Sequence, residues 1–190
     1  MLVSDYVIQF LVDRGVNDLF LVSGGGIMYL LDSVGRNKDV KYYCNYHEQA
    51  CVAAAEAYAR VRNGVGACLV TTGPGAANAL SAIPAAWVDS VPLMVICGQN
   101  KRELIADYSK LRQLGPQEAN VVGMAAAVTK YAKCIHDPKM IRYELEFAWH
   151  QATSGRPGPV LLEIPVDVQG TDIDATQLRG FAPGDRKSVV

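Results

Sequence analysis

Three short strings combine residue types that could bind a ligand and act on it. Asn45-Tyr46-His47-Glu48 sets an ionisable carboxyl group at the start of an alanine-rich stretch. A carboxyl group there can exchange a proton or hydrogen-bond a ring nitrogen. The same string also reads as a capping box, with Asn45 as the N-cap and Glu48 reaching back to it. Ser23-Gly24-Gly25-Gly26 would let a ligand approach the backbone closely, and the helix N-terminus behind it favours acceptor groups. It reads equally as a tight strand-to-helix turn, and it lacks the GxGxxG spacing of a dinucleotide site. Thr71-Thr72-Gly73-Pro74-Gly75-Ala76-Ala77-Asn78 permits an unusual turn at Gly73 and Gly75, stiffened by Pro74. Two glycines and a proline are more than a plain strand-to-helix turn needs. Asn78 is placed either to cap the following helix or to meet a ligand.

The elements around these strings must put them at one edge of a sheet. Apolar runs predict strands at Asp18–Val22, Val40–Cys44, Ala67–Thr71, Leu93–Cys97, Lys130–Ile135 and Val160–Ile164. Most are continuously apolar, as in parallel strands covered on both faces. Helical patterns fall at Ser4–Arg14, Ile27–Gly35, Glu48–Asn63, Ala76–Asp89, Glu118–Val128 and Pro138–Ser154. The alternation predicts an α/β fold, doubly wound, with a mainly parallel six-stranded sheet and helices on both faces. Ligands of such sheets bind at the carboxyl ends of the strands, where all three strings fall. Ala50, Ala53, Ala54, Ala57 and Tyr58 form a small-residue face, suited either to a partner subunit or to tight core packing, and Glu56 reads as solvated. The composition changes after Val168, and Gln169–Val190 reads as a linker leaving a finished domain, residues 1–168.

Composition narrows the function classes. Of 190 residues, 50% are hydrophobic and 19% charged, which excludes a disordered chain. Eighteen basic residues balance nineteen acidic ones, so the footprint of a nucleic-acid binder is missing. The five cysteines form no CxxC pair and four lie in apolar runs, which predicts reduced, buried thiols. The three histidines are too scattered for zinc spacing, so no metal site is expected. No apolar run is long enough for a membrane span and no signal peptide is evident, which predicts a cytoplasmic protein.

Taken in order, the strings resemble the N-terminal, pyrimidine-binding domain of thiamine-diphosphate-dependent enzymes. Within that group they are most similar to the large subunit of acetolactate (acetohydroxyacid) synthase. The resemblance rests on Gly24-Gly25-Gly26-Ile27-Met28, on His47-Glu48-Gln49-Ala50 through Ala57-Tyr58-Ala59-Arg60, and on Leu69 through Asn78. It continues in Gly98-Gln99, Gln117-Glu118-Ala119, Val121-Val122-Gly123, Thr153 through Val160, and Ile164-Pro165-Val166-Asp167-Val168. It implies that Glu48 hydrogen-bonds N1′ of the aminopyrimidine and favours the imino tautomer that takes the C2 proton of the thiazolium. The reaction implied is decarboxylation of a 2-oxo acid with transfer of the remaining two-carbon unit. An apolar pocket helps a carboxyl group share a proton with a ring nitrogen, a job for which aspartate is a methylene too short and in which glutamine cannot exchange the proton. The resemblance further implies that Gly24, Gly25, Thr72, Gly73 and Pro74 line the cofactor cleft and that Asn78 sits at the pyrimidine end. It puts Gln117 on the substrate side of the thiazolium and makes His47 structural. It also implies a homodimer or higher oligomer.

The sequence departs from that pattern in three ways. The Gly-Asp-Gly string and the paired asparagines that hold magnesium and diphosphate in the family are absent, and Gly184-Asp185-Arg186 does not replace them. Magnesium is therefore expected through a further domain, FAD only in a middle domain, and the chain by itself is expected to be inactive. Pro116 stands where acetolactate synthases usually have Phe, and Asn100–Leu114 is longer and more charged than theirs, which opens the identity of the acceptor substrate. Ser23 replaces the usual Pro. The reading is thus an N-terminal domain of a longer enzyme. The alternatives are one subunit of a split thiamine-diphosphate decarboxylase, completed by a diphosphate-domain partner chain, and a non-catalytic nucleotide-binding or regulatory module.

Overall fold

The computed structural model describes residues 1–183. Six strands form one sheet: β1 Asp18–Leu21, β2 Lys41–Cys44, β3 Gly66–Val70, β4 Leu93–Gln99, β5 Tyr131–Cys134 and β6 Pro159–Pro165. All pairings are parallel, in the order β2-β1-β3-β4-β6-β5. This is the expected α/β class. The strand order, which sequence alone did not define, reverses direction between β1 and β3. The carboxyl ends of those two strands, on either side of the reversal, are where sheets of this class place a ligand crevice.

Helices cover both faces. Each inner strand alternates its side chains between two apolar cores. Leu19, Leu21, Leu69, Met94, Ile96, Leu162 and Ile164 pack toward one face with α1 Val3–Val12, α2 Met28–Arg36 and α7 Ile141–Thr153. Cys68, Val70, Val95, Cys97 and Leu161 pack toward the other with α3 Glu48–Arg62, α4 Pro74–Leu80, α5 Ile83–Val88 and α6 Val121–Ala125. Because β3, β4 and β6 are buried along their whole length, their sequences are apolar without alternation. The edge strand β2 is exposed at all four residues. Cys44, on that edge, is therefore exposed rather than buried, whereas Cys51, Cys68 and Cys97 are buried free thiols and Cys134 is half-buried.

Two helices differ from the sequence reading. The single helix expected over Ala76–Asp89 is two helices, α4 and α5, separated at Ser81–Ala82. Pro84 lacks an N–H and its ring obstructs the carbonyl one turn earlier, so the helix restarts with Pro84 in its first turn. The helix expected over Glu118–Val128 contracts to α6, because Asn120 caps it by accepting from the Gly123 N–H at 2.9 Å. Other boundaries agree within one to three residues, with a short 3-10 turn at Gly25–Ile27 leading into α2.

After Val168 the described chain stays packed on the domain, against the N-terminal segment and α7. The short helix α8, Val166–Gln169, is followed by an antiparallel bridge between Leu2 and Asp172. Phe181 then packs edge-on against Tyr143 and Phe147, and its N–H donates to Glu146 at 2.7 Å. Gly184-Asp185-Arg186 and the rest of the tail lie outside the described residues.

Candidate active site

The β1–β3 crevice brings the three strings together. On one side, Gly24 lies directly against the Thr71 side chain, and the Gly26 N–H donates to Thr71 Oγ1 at 3.1 Å. Gln169 anchors this loop from below, since its Nε2 donates to the carbonyls of Gly26 and Ile164, both at 2.7 Å. Its Oε1 is buried without a partner among the described residues.

On the other side, the turn after β3 depends on Gly73. Its φ of +52° and ψ of −113° are strained for any residue with a Cβ. A Cβ there would also stand 1.6 Å from the carbonyl oxygen of Gln117. Gln117 itself has φ +55°, an uncommon conformation for a non-glycine residue, so two unusual backbones press against each other. The structure therefore brings Gln117 to the turn through its main chain.

Glu48 opens α3 next to this turn and is 9% exposed. A Cβ at Gly75 would stand 3.1 Å from Glu48 Oε1, so glycine at that position leaves the carboxylate its space. Asn78 Nδ2 donates to Glu48 Oε2 at 3.1 Å, while Oε1 has no hydrogen-bond partner among the described residues. Asn78 thus orients the carboxylate instead of capping its own helix. The capping box is also not formed. The N-cap of α3 is His47, whose Nδ1 accepts from the Gln49 N–H at 3.2 Å, and Glu48 is the first helical residue. Asn45 instead accepts from the Cys51 thiol at 3.3 Å. Glu56, expected to be solvated, is half-buried and pairs with Arg60.

Polar contacts to which the sequence reading gave no role support these loops. Thr72 Oγ1 donates to Gln99 Oε1 at 2.8 Å, and Gln99 Nε2 donates to Glu163 Oε1 at 2.9 Å. Burial pushes the Glu163 carboxyl up to about 7, although bonds from Gln99 and Cys134 pull the other way. Glu118, beside Gln117, accepts from the N–H groups of Ala106, Leu114 and Gly115 at 2.6, 2.5 and 2.9 Å. Burial opposes ionisation of this carboxyl, but those donors and the Tyr108 hydroxyl outweigh it and hold its pKa below the usual range. The long charged segment 100–115 is therefore pinned from its C-terminal end. Glu163 had a visible signal, a lone carboxylate in an otherwise apolar run. Glu118 had none, because its partners are backbone groups of a loop.

Among the described residues no group of three or more His, Cys, Asp or Glu gathers as a metal site would require. No helix among them is long and apolar enough to cross a membrane. The groups present suit an aminopyrimidine: a carboxylate with one free oxygen, held by an amide, beside two glycine-lined loops.

Comparison with known proteins gives the family. Residues 1–126 match the model of the thiamine pyrophosphate enzyme N-terminal TPP binding domain. The chain is 37% identical over 166 residues to the chloroplastic acetolactate synthase of Arabidopsis thaliana, covering 87% of this chain and 24% of that protein. It is 36% identical over 165 residues to the acetolactate synthase isozyme 3 large subunit of Escherichia coli K12, covering 87% of this chain and 28% of that protein. The Haemophilus influenzae large subunit is 36% identical over 164 residues, covering 86% of this chain and 28% of that protein. The chain spans about a quarter of the length of these relatives. The match over residues 1–126 identifies the chain as a member of the thiamine pyrophosphate enzyme family, carrying the N-terminal TPP binding domain.

Proposed function

We propose that this domain supplies the aminopyrimidine-facing half of a thiamine diphosphate site in an enzyme that acts, like acetolactate synthase, on 2-oxo acids. The free Oε1 of Glu48, beside Gly75 and with its neighbour oxygen fixed by Asn78, carries the reading. Glu48 would share a proton with the ring nitrogen. Backbone groups of Gly24, Gly25, Thr72, Gly73 and Pro74 would border the ring, and Asn78 would keep the carboxylate aimed. Gln117 would face the substrate. When bound, the cofactor would supply a nucleophilic thiazolium carbon and an electron sink for decarboxylation of the substrate.

Magnesium and the diphosphate would be held by a further domain, on the same polypeptide or on a partner chain, and any FAD by a middle domain. A homodimer or higher oligomer is the proposed assembly. Ala50, Ala53 and Ala57 on α3 are exposed, as are Tyr42 and Tyr43 on the edge strand and Tyr46 after it, which supports a covered face on this side. The proposed location is the cytoplasm.

The test is Glu48→Gln in the enzyme assembled with its diphosphate-binding domain. Turnover of pyruvate is expected to fall at least 100-fold with an unchanged far-ultraviolet circular dichroism spectrum. Unchanged turnover would favour a non-catalytic binding module. The 190-residue chain alone, given thiamine diphosphate and magnesium, is expected to consume no pyruvate, and sustained product formation would overturn that expectation.

A further inference from the structure

Glu163 is 3% exposed in the middle of the sheet, and Gln99 on the neighbouring strand is wholly buried. A buried carboxyl group in an apolar strand is costly, so its partners matter. Gln99 Nε2 donates to Glu163 Oε1 at 2.9 Å. Gln99 Oε1 accepts twice, from Thr72 Oγ1 and from the Asn100 N–H, both at 2.8 Å. The amide carbonyl has two lone pairs, and both are used.

A reversed Gln99 amide would set an NH₂ group against the Asn100 N–H and take the acceptor away from the Thr72 hydroxyl. It would also turn the carbonyl oxygen toward the carboxyl group. The acceptor at position 163 and the Asn100 N–H together fix which way Gln99 faces, and Gln99 decides where the Thr72 hydroxyl points. Thr72 begins the turn whose next residue is the strained Gly73. Asn100, held by the same carbonyl, donates through Nδ2 to the Pro116 carbonyl at 3.1 Å, next to Gln117. One buried amide thus connects both segments that meet at the Gly73–Gln117 contact.

We propose that Glu163 is a positioning residue, which by fixing the orientation of the Gln99 amide holds the Thr72–Pro74 turn and the segment leading to Gln117 in register. The importance of this for the cofactor rests on the function proposed above. The relay itself can be measured without cofactor.

The experiment is amide hydrogen exchange, read by NMR, on the 190-residue chain and two variants at position 163. The reporters are the N–H groups of Asn100, Gly75 and Ala77, which donate to Gln99 Oε1, the Thr72 carbonyl and the Gly73 carbonyl. Glu163→Leu removes the acceptor and is expected to speed exchange at all three at least tenfold, with the β3–β4 ladder amides unchanged. Glu163→Gln keeps an acceptor oxygen and is expected to stay within twofold of the parent, a rescue that loss of packing alone would not show. A folded Leu variant with unchanged reporters, or a Gln variant as loose as the Leu variant, would overturn the proposal. If the Leu variant does not fold, Thr72→Val cuts the relay at its other end. It is expected to speed exchange at Gly75 and Ala77 tenfold, and no change there would likewise overturn the proposal. Failure of Glu48→Gln to impair turnover would leave these results untouched, so the two readings fail separately.

Discussion

Glu163 gives the most quantitative prediction, the pH dependence of folding. Burial raises its carboxyl from the usual 4.5 to about 7. The folded chain then binds this proton more tightly than the unfolded chain, so the stabilising contribution is present at low pH and is lost as pH rises toward 7 and above. Each pH unit of difference between the folded and unfolded pKa corresponds to about 1.4 kcal/mol, so the full effect is roughly 3 kcal/mol and the part lost between pH 5 and pH 8 roughly 2–3 kcal/mol. Cys134, Cys97, Glu118, Tyr108 and Gln99 face the carboxyl group, and ionised Glu118 reinforces the upward shift. Other groups act in the opposite sense. Burial lowers His136, so its contribution grows as pH rises toward 6.5, and Glu118, held low, contributes stability that is lost on acidification. The comparison that isolates Glu163 is urea unfolding of the parent and of Glu163→Gln across this range. The stability difference between them is expected to move by roughly 2–3 kcal/mol against the parent from pH 5 to pH 8. Parallel profiles would refute the reasoning.

Three further outcomes follow from the same geometry. Gly73→Ala must force a Cβ into a glycine-restricted conformation and against the Gln117 carbonyl, and is expected to cost about 3 kcal/mol or more in urea unfolding. Gly25→Ala, with nothing within 4 Å of the added carbon, is expected to stay within about 0.5 kcal/mol of the parent. Glu118→Ala leaves the N–H groups of Ala106, Leu114 and Gly115 without their acceptor, and limited proteolysis is expected to cut within residues 105–116 before any other site; an unchanged cleavage pattern would contradict the assigned role.

The parts of the molecule legible in the sequence are those set by burial. Runs such as Ala67–Val70 and Leu93–Cys97 are apolar because both faces of their strands are covered, and the unbroken apolar run itself identified them. The exposed β2 was legible only through its tyrosines and its neighbours. Strand order and the β1–β3 crevice depend on contacts far apart in the chain and leave no local trace. The same holds within the site. Glu48, the glycines and Asn78 stand out by type and spacing, but the Asn78–Glu48 bond links residues thirty positions apart. His47 took the capping role assigned to Asn45, because the chain is still extended at His47 (φ −155°, ψ 141°) and the helix starts only at Glu48, two residues later than the capping box requires. Glu163, Gln99 and Glu118 act on loops formed elsewhere in the chain, and only the folded structure brings them there.

The central claim is that Glu48 and the glycine loops of the β1–β3 crevice receive the aminopyrimidine of thiamine diphosphate. Its most direct test is a titration of the ¹⁵N-labelled chain with millimolar thiamine diphosphate, followed by amide chemical shifts. The account predicts shifts concentrated at Gly24, Gly25, Glu48, Thr72, Gly73 and Gly75, and strongly reduced in Glu48→Gln. Shifts that cluster elsewhere, such as around Trp87 and Arg156, or that are the same in the Gln variant, would contradict it.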